Sequence, residues 1–244
     1  MIAYAADDTV HEVIGHGLAS LMLNIKILSI STVGLQTAES NRWVAAAGAI
    51  ANVIAGTAAL LFADRSASFG SWRYFLWIFG FINLMNGTGY LMASALLGGG
   101  DWAVVIAGLN PPMLWRIGMG LTGLALFAGT VRWAASVMGR MVRRGAVDRN
   151  DLSRLTIPAY LAGGVLFVVA SVFNPVGPSL ILGSGAGASL GLTFGLLLVP
   201  RILDDKTEQS PPSPSLQFSW GWLLAAIFVA AIFIGIFGPG VRLS

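Results

Sequence analysis

Apolar residues in this chain run in long blocks, at residues 2–30, 42–62, 72–97, 113–138, 155–173, 179–200 and 219–238. A helix needs about 20 mostly apolar residues to cross the hydrocarbon core of a bilayer. The blocks therefore predict about seven transmembrane helices, and the expected fold class is all-α, a polytopic integral membrane helix bundle. Two blocks stand apart. The first carries Asp7, Asp8, His11, Glu12 and His16, and the third holds Asn83, Asn86, Gly87 and Gly89 in its middle, where a break or re-entrant bend is expected. The first block is not a signal peptide, because it has no basic n-region and acidic groups stand where the apolar stretch should be.

Two polar stretches punctuate the pattern. Residues 139–154 hold Arg140, Arg143, Arg144, Arg149 and Arg154, and residues 201–217 include Asp-Asp-Lys and Pro-Pro-Ser-Pro runs. The second has the composition of a mobile loop. The expected organisation is a core over 1–140, which holds the intramembrane polar residues, and C-terminal transmembrane helices over 141–244. Composition agrees with a membrane location: 56% of the 244 residues are hydrophobic and 10% are charged, against about 25% charged in soluble domains. With a mean hydropathy of +0.77, a soluble globular fold is excluded, and membrane lipids are the first expected partner. The absence of cysteine rules out disulfides, thiolate zinc sites and iron–sulfur clusters. The net charge of +3 lies in loops rather than along a stripe, so no nucleic-acid partner is expected.

Basic residues in the loops set the expected orientation. With seven crossings, one side collects Arg65, Arg73, the five arginines of 139–154, Arg201 and Lys206; the other collects Lys26, Arg42, Arg116 and Arg242. That balance puts the N-terminus and the 139–154 loop in the cytoplasm, with the bacterial inner (plasma) membrane as the expected location.

Both histidines of the chain fall in one hexapeptide, His11-Glu12-Val13-Ile14-Gly15-His16. Ionisable groups inside a membrane span are costly and mark functional sites. Imidazole is a common zinc ligand, and a neighbouring glutamate can serve as base toward water. In the usual His-Glu-x-x-His motif the histidines lie four apart, about 40° around a helix; five apart they diverge by about 140°. A π-helical turn would bring them back to one face, and Gly15 is permissive where that distortion falls. The alternative is that Thr9-x-x-Glu12 forms a capping box with hydrogen-bonded interfacial histidines. Haem ligation is disfavoured, because residues this close on one helix cannot bind opposite faces of one haem. The spelling His-Glu-x-x-Gly-His resembles the zinc motif of dipeptidyl peptidase III, which implies that the longer spacing can bind zinc.

The segment also resembles the site-2 protease family of intramembrane zinc metalloproteases. That family has His-Glu-x-x-His on one helix, Gly-Pro-x-x-Asn on the next and an Asp-Gly motif that supplies a third ligand. Here the second motif is approximated by Gly48-Ala49-Ile50-Ala51-Asn52 and the third by Gly100-Asp101-Trp102. The resemblance covers about residues 9–105. It implies Zn2+ held by His11, His16 and Asp101, Glu12 as catalytic base, Asn52 as a substrate contact, and a membrane-protein or peptide substrate. Two other readings of these residues stay open: small-residue helix packing for Gly48, Asn52 and Gly56, and a helix N-cap for Asp101. Depth is a further constraint. If residues 72–97 cross completely, Asp101 emerges opposite the N-terminus, while His11 lies roughly 15 Å inside the first helix. The two then meet only if the third block bends back near Asn86–Gly89 or the following loop dips inward; otherwise Asn83, Asn86 or Asp8 takes the third position. The competing functional reading is a non-catalytic polytopic membrane protein, such as a transporter, channel or metal-binding scaffold.

Overall fold

The structure is a computed structural model that describes residues 1–65, 70–175, 181–203 and 218–243, without the side chains of 181–185. Helix α1 is composite: Ile2–Asp8 is α-helical, Thr9–Gly17 is π-helical and Leu18–Met22 is α-helical again. It stops because Asn24 takes the left-handed conformation, with φ 55°, and the Ile25 N–H donates back to the Ser20 carbonyl. A hairpin follows, β1 (Ile27–Ser31) paired antiparallel with β2 (Gly34–Thr37). The chain then forms α2 (Arg42–Arg65), α3 (Ser71–Leu97), the short α4 (Asp101–Ile106), α5 (Pro112–Arg143) and α6 (Leu152–Val172). Ile181–Ile202 is a mixed run of π, 3-10 and α turns, called α7, and α8 joins Trp220–Ile232 to a π-helical Phe233–Phe237. Strand β3 (Val241–Arg242) pairs with β1, so the sheet order is β2-β1-β3.

The structure is 78% helical, in keeping with the all-α expectation, but it does not support seven transmembrane helices. Among the described residues four helices are long and apolar enough to cross a membrane: Arg42–Arg65, Pro112–Arg143, Arg149–Val172 and Trp220–Phe237. The shortfall has physical causes. The first block does not run as helix to residue 30, because the chain turns at Asn24 into the hairpin, and its helical part carries five ionisable residues. Helix α3 is long enough, yet Asn83, Asn86, Thr88 and Tyr90 dilute its apolar character. In the 179–200 block the residues whose side chains are described form only a shorter apolar helix, Ala186–Ile202, and residues 176–180 lie outside the described residues. The expected mobile loop lies, for residues 204–217, outside the described residues.

The helices run between two ends of the bundle. At one end Asp64 at the foot of α2 meets Arg140 at the foot of α5; at the other lie the hairpin and the start of α2. Small residues let α2 and α3 approach closely. A β-carbon on Gly56 would sit 2.8 Å from the Gly80 carbonyl oxygen, and one on Gly87 would sit 2.8 Å from that of Ala49. The core around fully buried Trp77, Phe81, Ile82 and Met85 continues through Leu60 and Met138 to Leu166 and Leu196. It is one core across residue 140: Tyr4 of α1 hydrogen-bonds Thr193 of α7, and its ring leaves no room for a β-carbon at Gly163 of α6.

Candidate metal centre

The site begins with the π-helical stretch. Its i→i+5 bonding sets residues five apart about one turn from each other, which brings His11 and His16 side by side. Their ring centroids are 4.7 Å apart with planes at 86°. Thr9 does not cap the helix: it lies within the run, and its hydroxyl donates to the Ala5 carbonyl one turn back. This competition for a backbone acceptor disfavours regular α geometry at the start of the π segment. Gly15 has a second role beyond flexibility. A β-carbon there would come within 2.5 Å of Gly48 Cα, so the two glycines form the crossing of α1 and α2. Gly48 in turn cradles both rings, since a β-carbon on it would lie 2.6 Å from His16 Nε2 and 2.7 Å from His11 Nε2.

Asp101 completes the cluster. Its Oδ2 is 2.9 Å from His11 Nε2 and 3.3 Å from His16 Nε2. Helix α3 is unbroken from Ser71 to Leu97, so the expected bend near Asn86–Gly89 does not occur. Asp101 arrives by the turn instead. Gly98 and Gly100, with φ of 69° and 81°, take backbone conformations that favour glycine and fold the chain inward. Arg116 of α5 fixes the turn by donating to the Ala95 and Leu96 carbonyls at the end of α3. The depth conflict disappears because α1 runs toward the hairpin end. His16 Nδ1 bonds the Val44 carbonyl at 2.7 Å, and Val44 and Gly48 stand only two and six residues into α2, roughly 3 and 9 Å down its axis. Gly100, not Asp101, occupies the N-cap position of α4, and no side-chain cap bond forms; the Asp101 carboxylate is turned to the imidazoles.

His11, Glu12 and His16 each offer a ligand atom, all within 4.8 Å of one another, and such a His-Glu-His cluster can hold a metal ion. Glu12 is buried, its Oε2 has no hydrogen-bond partner among the described residues, and the Leu35 backbone amide of β2 faces its carboxylate. Behind the cluster lies a buried polar knot. The Asp7 carboxylate accepts from Asn52 Nδ2 at 2.8 Å on one oxygen and from Asn86 Nδ2 on the other. Asn52, expected as a substrate contact, is fully buried with its amide committed to Asp7, whereas Asn86 lines the adjoining cavity. Asn83 is also buried and donates to the Phe79 carbonyl.

A cavity of about 340 Å³ opens beside the cluster, with His11, Glu12 and Asp7 on one wall and Asn86, Tyr90 and Ser94 of α3 on another. Phe167, Ala188 and Leu192 close it, so the C-terminal helices contribute to its wall. A second, mostly apolar cavity of about 400 Å³ lies between α1 and α8, and Asp8 and Glu12 stand on its wall. Tyr90 and Ser94 are the residues of this wall that sequence reasoning misses, although with Asn86 they recur every four residues as one helical face should.

No family model, no curated protein and no solved structure matches this chain.

Proposed function

We propose that the protein is an integral membrane zinc metalloprotease that hydrolyses peptide bonds in or near the bilayer. The observation that carries this reading is the convergence of two imidazoles and one carboxylate beside a buried, unpartnered glutamate oxygen on a cavity wall. Two histidines and a carboxylate are a donor set of catalytic zinc sites, which keep a fourth position open. Ligand atoms about 2.0–2.1 Å from a tetrahedral zinc stand roughly 3.3 Å apart, close to the 2.9 and 3.3 Å separations of the Asp101 oxygen from the two ring nitrogens. The His16 bond to Val44 is the outer support that fixes a ligating ring. The residues fit the metal.

When bound, zinc supplies Lewis-acid chemistry, polarising a carbonyl and making water acidic near neutral pH. With the metal held by His11, His16 and Asp101, Glu12 would take a proton from water at its Oε2 and hand it to the departing amine. The Leu35 amide orients the carboxylate. In the sheet order β2-β1-β3, strand β2 keeps one unpaired edge, and an extended peptide can add to such an edge through main-chain bonds. The apolar cavity reaching Glu12 between α1 and α8 gives a hydrophobic approach suited to a membrane-embedded segment. The arginine-rich end is assigned to the cytoplasm by its charge, so the hairpin end and the metal centre lie toward the opposite face.

Replacing Glu12 by Gln keeps the shape and the metal ligands but removes the base. Proteolysis of a co-expressed membrane substrate should fall about 10²–10⁴-fold with metal content unchanged. Cleavage by E12Q at the wild-type rate removes the catalytic assignment and leaves the non-catalytic scaffold.

A further inference from the structure

Tyr90 stands on α3 between Asn86 and Ser94, and all three line the cavity beside the histidines. Its ring meets His11 edge-on, with centroids 5.9 Å apart and planes at 78°. The hydroxyl is placed over the turn that delivers Asp101: a β-carbon on Gly100 would lie 2.8 Å from the Tyr90 oxygen and 3.2 Å from Ser94 Oγ. Gly100 therefore does more than permit a turn. It leaves the space in which two hydroxyls face one corner of the cavity. The Asp101 backbone amide faces the Tyr90 oxygen, and the phenolic O–H is itself a donor. Ser94 is buried, and its Oγ has no partner among the described residues. A buried polar atom without a partner carries a cost of about 1–3 kcal/mol, one that a ligand in this corner would relieve.

We propose that Tyr90 is a further catalytic residue, a hydrogen-bond donor to the oxyanion that develops on the scissile carbonyl, with Ser94 as its neighbour in the same corner. The proposal rests on the metalloprotease reading and adds the group that reading lacks. Glu12 handles protons, and the histidines and Asp101 are committed as ligands. None of them donates to a developing negative charge, which is the role that oxyanion donors fill at about 10²–10³-fold in rate each. The ring packs edge-on against His11, and the hydroxyl faces the same corner of the cavity.

The test uses the full-length protein in detergent, loaded with Co2+ and titrated with acetohydroxamate, followed by the visible absorption of the metal. A hydroxamate places a negatively charged oxygen at the metal, so a donor to the oxyanion also contacts it. Tyr90→Phe, which removes one oxygen atom, should leave cobalt stoichiometry and the thermal transition unchanged. It should weaken acetohydroxamate roughly 10–100-fold, the range for a hydrogen bond to a charged group. Unchanged hydroxamate affinity in Y90F overturns the assignment. Loss of cobalt from Y90F also overturns it, because the hydroxyl would then serve only to hold Asp101. A wild-type protein that binds no cobalt removes the metalloprotease reading itself, an outcome distinct from failure at Tyr90.

Discussion

The two ends of the bundle each hold a carboxylate against basic side chains, and they differ in what surrounds them. At the arginine end Asp64 takes both bonds of one guanidinium, at 2.7 and 2.9 Å from Arg140. Arg73 beside it donates to the Ala63 and Asp64 carbonyls, and its Nη1 is buried without a partner among the described residues. The pair clamps the feet of α2, α3 and α5 with each carboxylate oxygen engaged. At the hairpin end a single oxygen of Asp101 serves two imidazoles, while Glu12 Oε2 and Ser94 Oγ are buried beside a cavity without partners among the described residues. A closed ion pair holds helices together. The groups without partners at the hairpin end face a cavity beside two imidazoles and two carboxylates, and we propose that this space receives a ligand.

The sharpest way to break this comparison is to fill the cradle between the rings. Gly48→Ala would put a β-carbon 2.6–2.7 Å from the Nε2 atoms of both His11 and His16. Displacing ligands by that much should weaken metal binding about 10–100-fold, the scale of lost ligand support. Titration with a competing chelator measures it. Gly118→Ala on α5, where a β-carbon meets nothing within 4 Å, is the control and should leave the affinity unchanged. Equal affinities for G48A and wild type would show that the rings do not converge on a metal.

A smaller effect is expected at the other end. Asp64→Asn breaks the bidentate pair with Arg140, but both side chains are about one-third exposed, and solvent screening keeps such pairs to about 1 kcal/mol or less. A thermal melt should move slightly downward, with metal affinity untouched. A large loss of metal in D64N would tie the two ends together and remove the distinction between clamp and centre.

The sequence made the histidine end partly legible. Two histidines in one hexapeptide, spaced one residue too far for an α-turn, require a wider helix to share a face, and Thr9–Gly17 is π-helical. The meeting of Asp101 with the histidines followed only from resemblance, and depth reasoning ran against it. Counted from the chain start His11 lies deep, whereas α1 points toward the hairpin end and shares it with the turn after α3. The hairpin was hidden because Ile27–Ser31 continues an apolar block, and the stop at Asn24 is a backbone event in a residue that can take either conformation. The span count failed for a related reason: apolar blocks register composition, while the polar residues of α1 and α3 are turned inward, toward each other. Asn86, Tyr90 and Ser94 share one face of α3 at regular spacing, but which face meets α1 is fixed by tertiary packing at Gly56, Gly80 and Gly87.

Zinc content combined with zinc-edge X-ray absorption, on full-length protein purified in detergent and supplied with zinc, tests the metal centre most directly. The account predicts about one zinc per chain, with two imidazole nitrogens and oxygen donors at about 2.0–2.1 Å, falling to background in His16→Ala. A wild-type protein without zinc, or a zinc signal indifferent to His16→Ala, would contradict it.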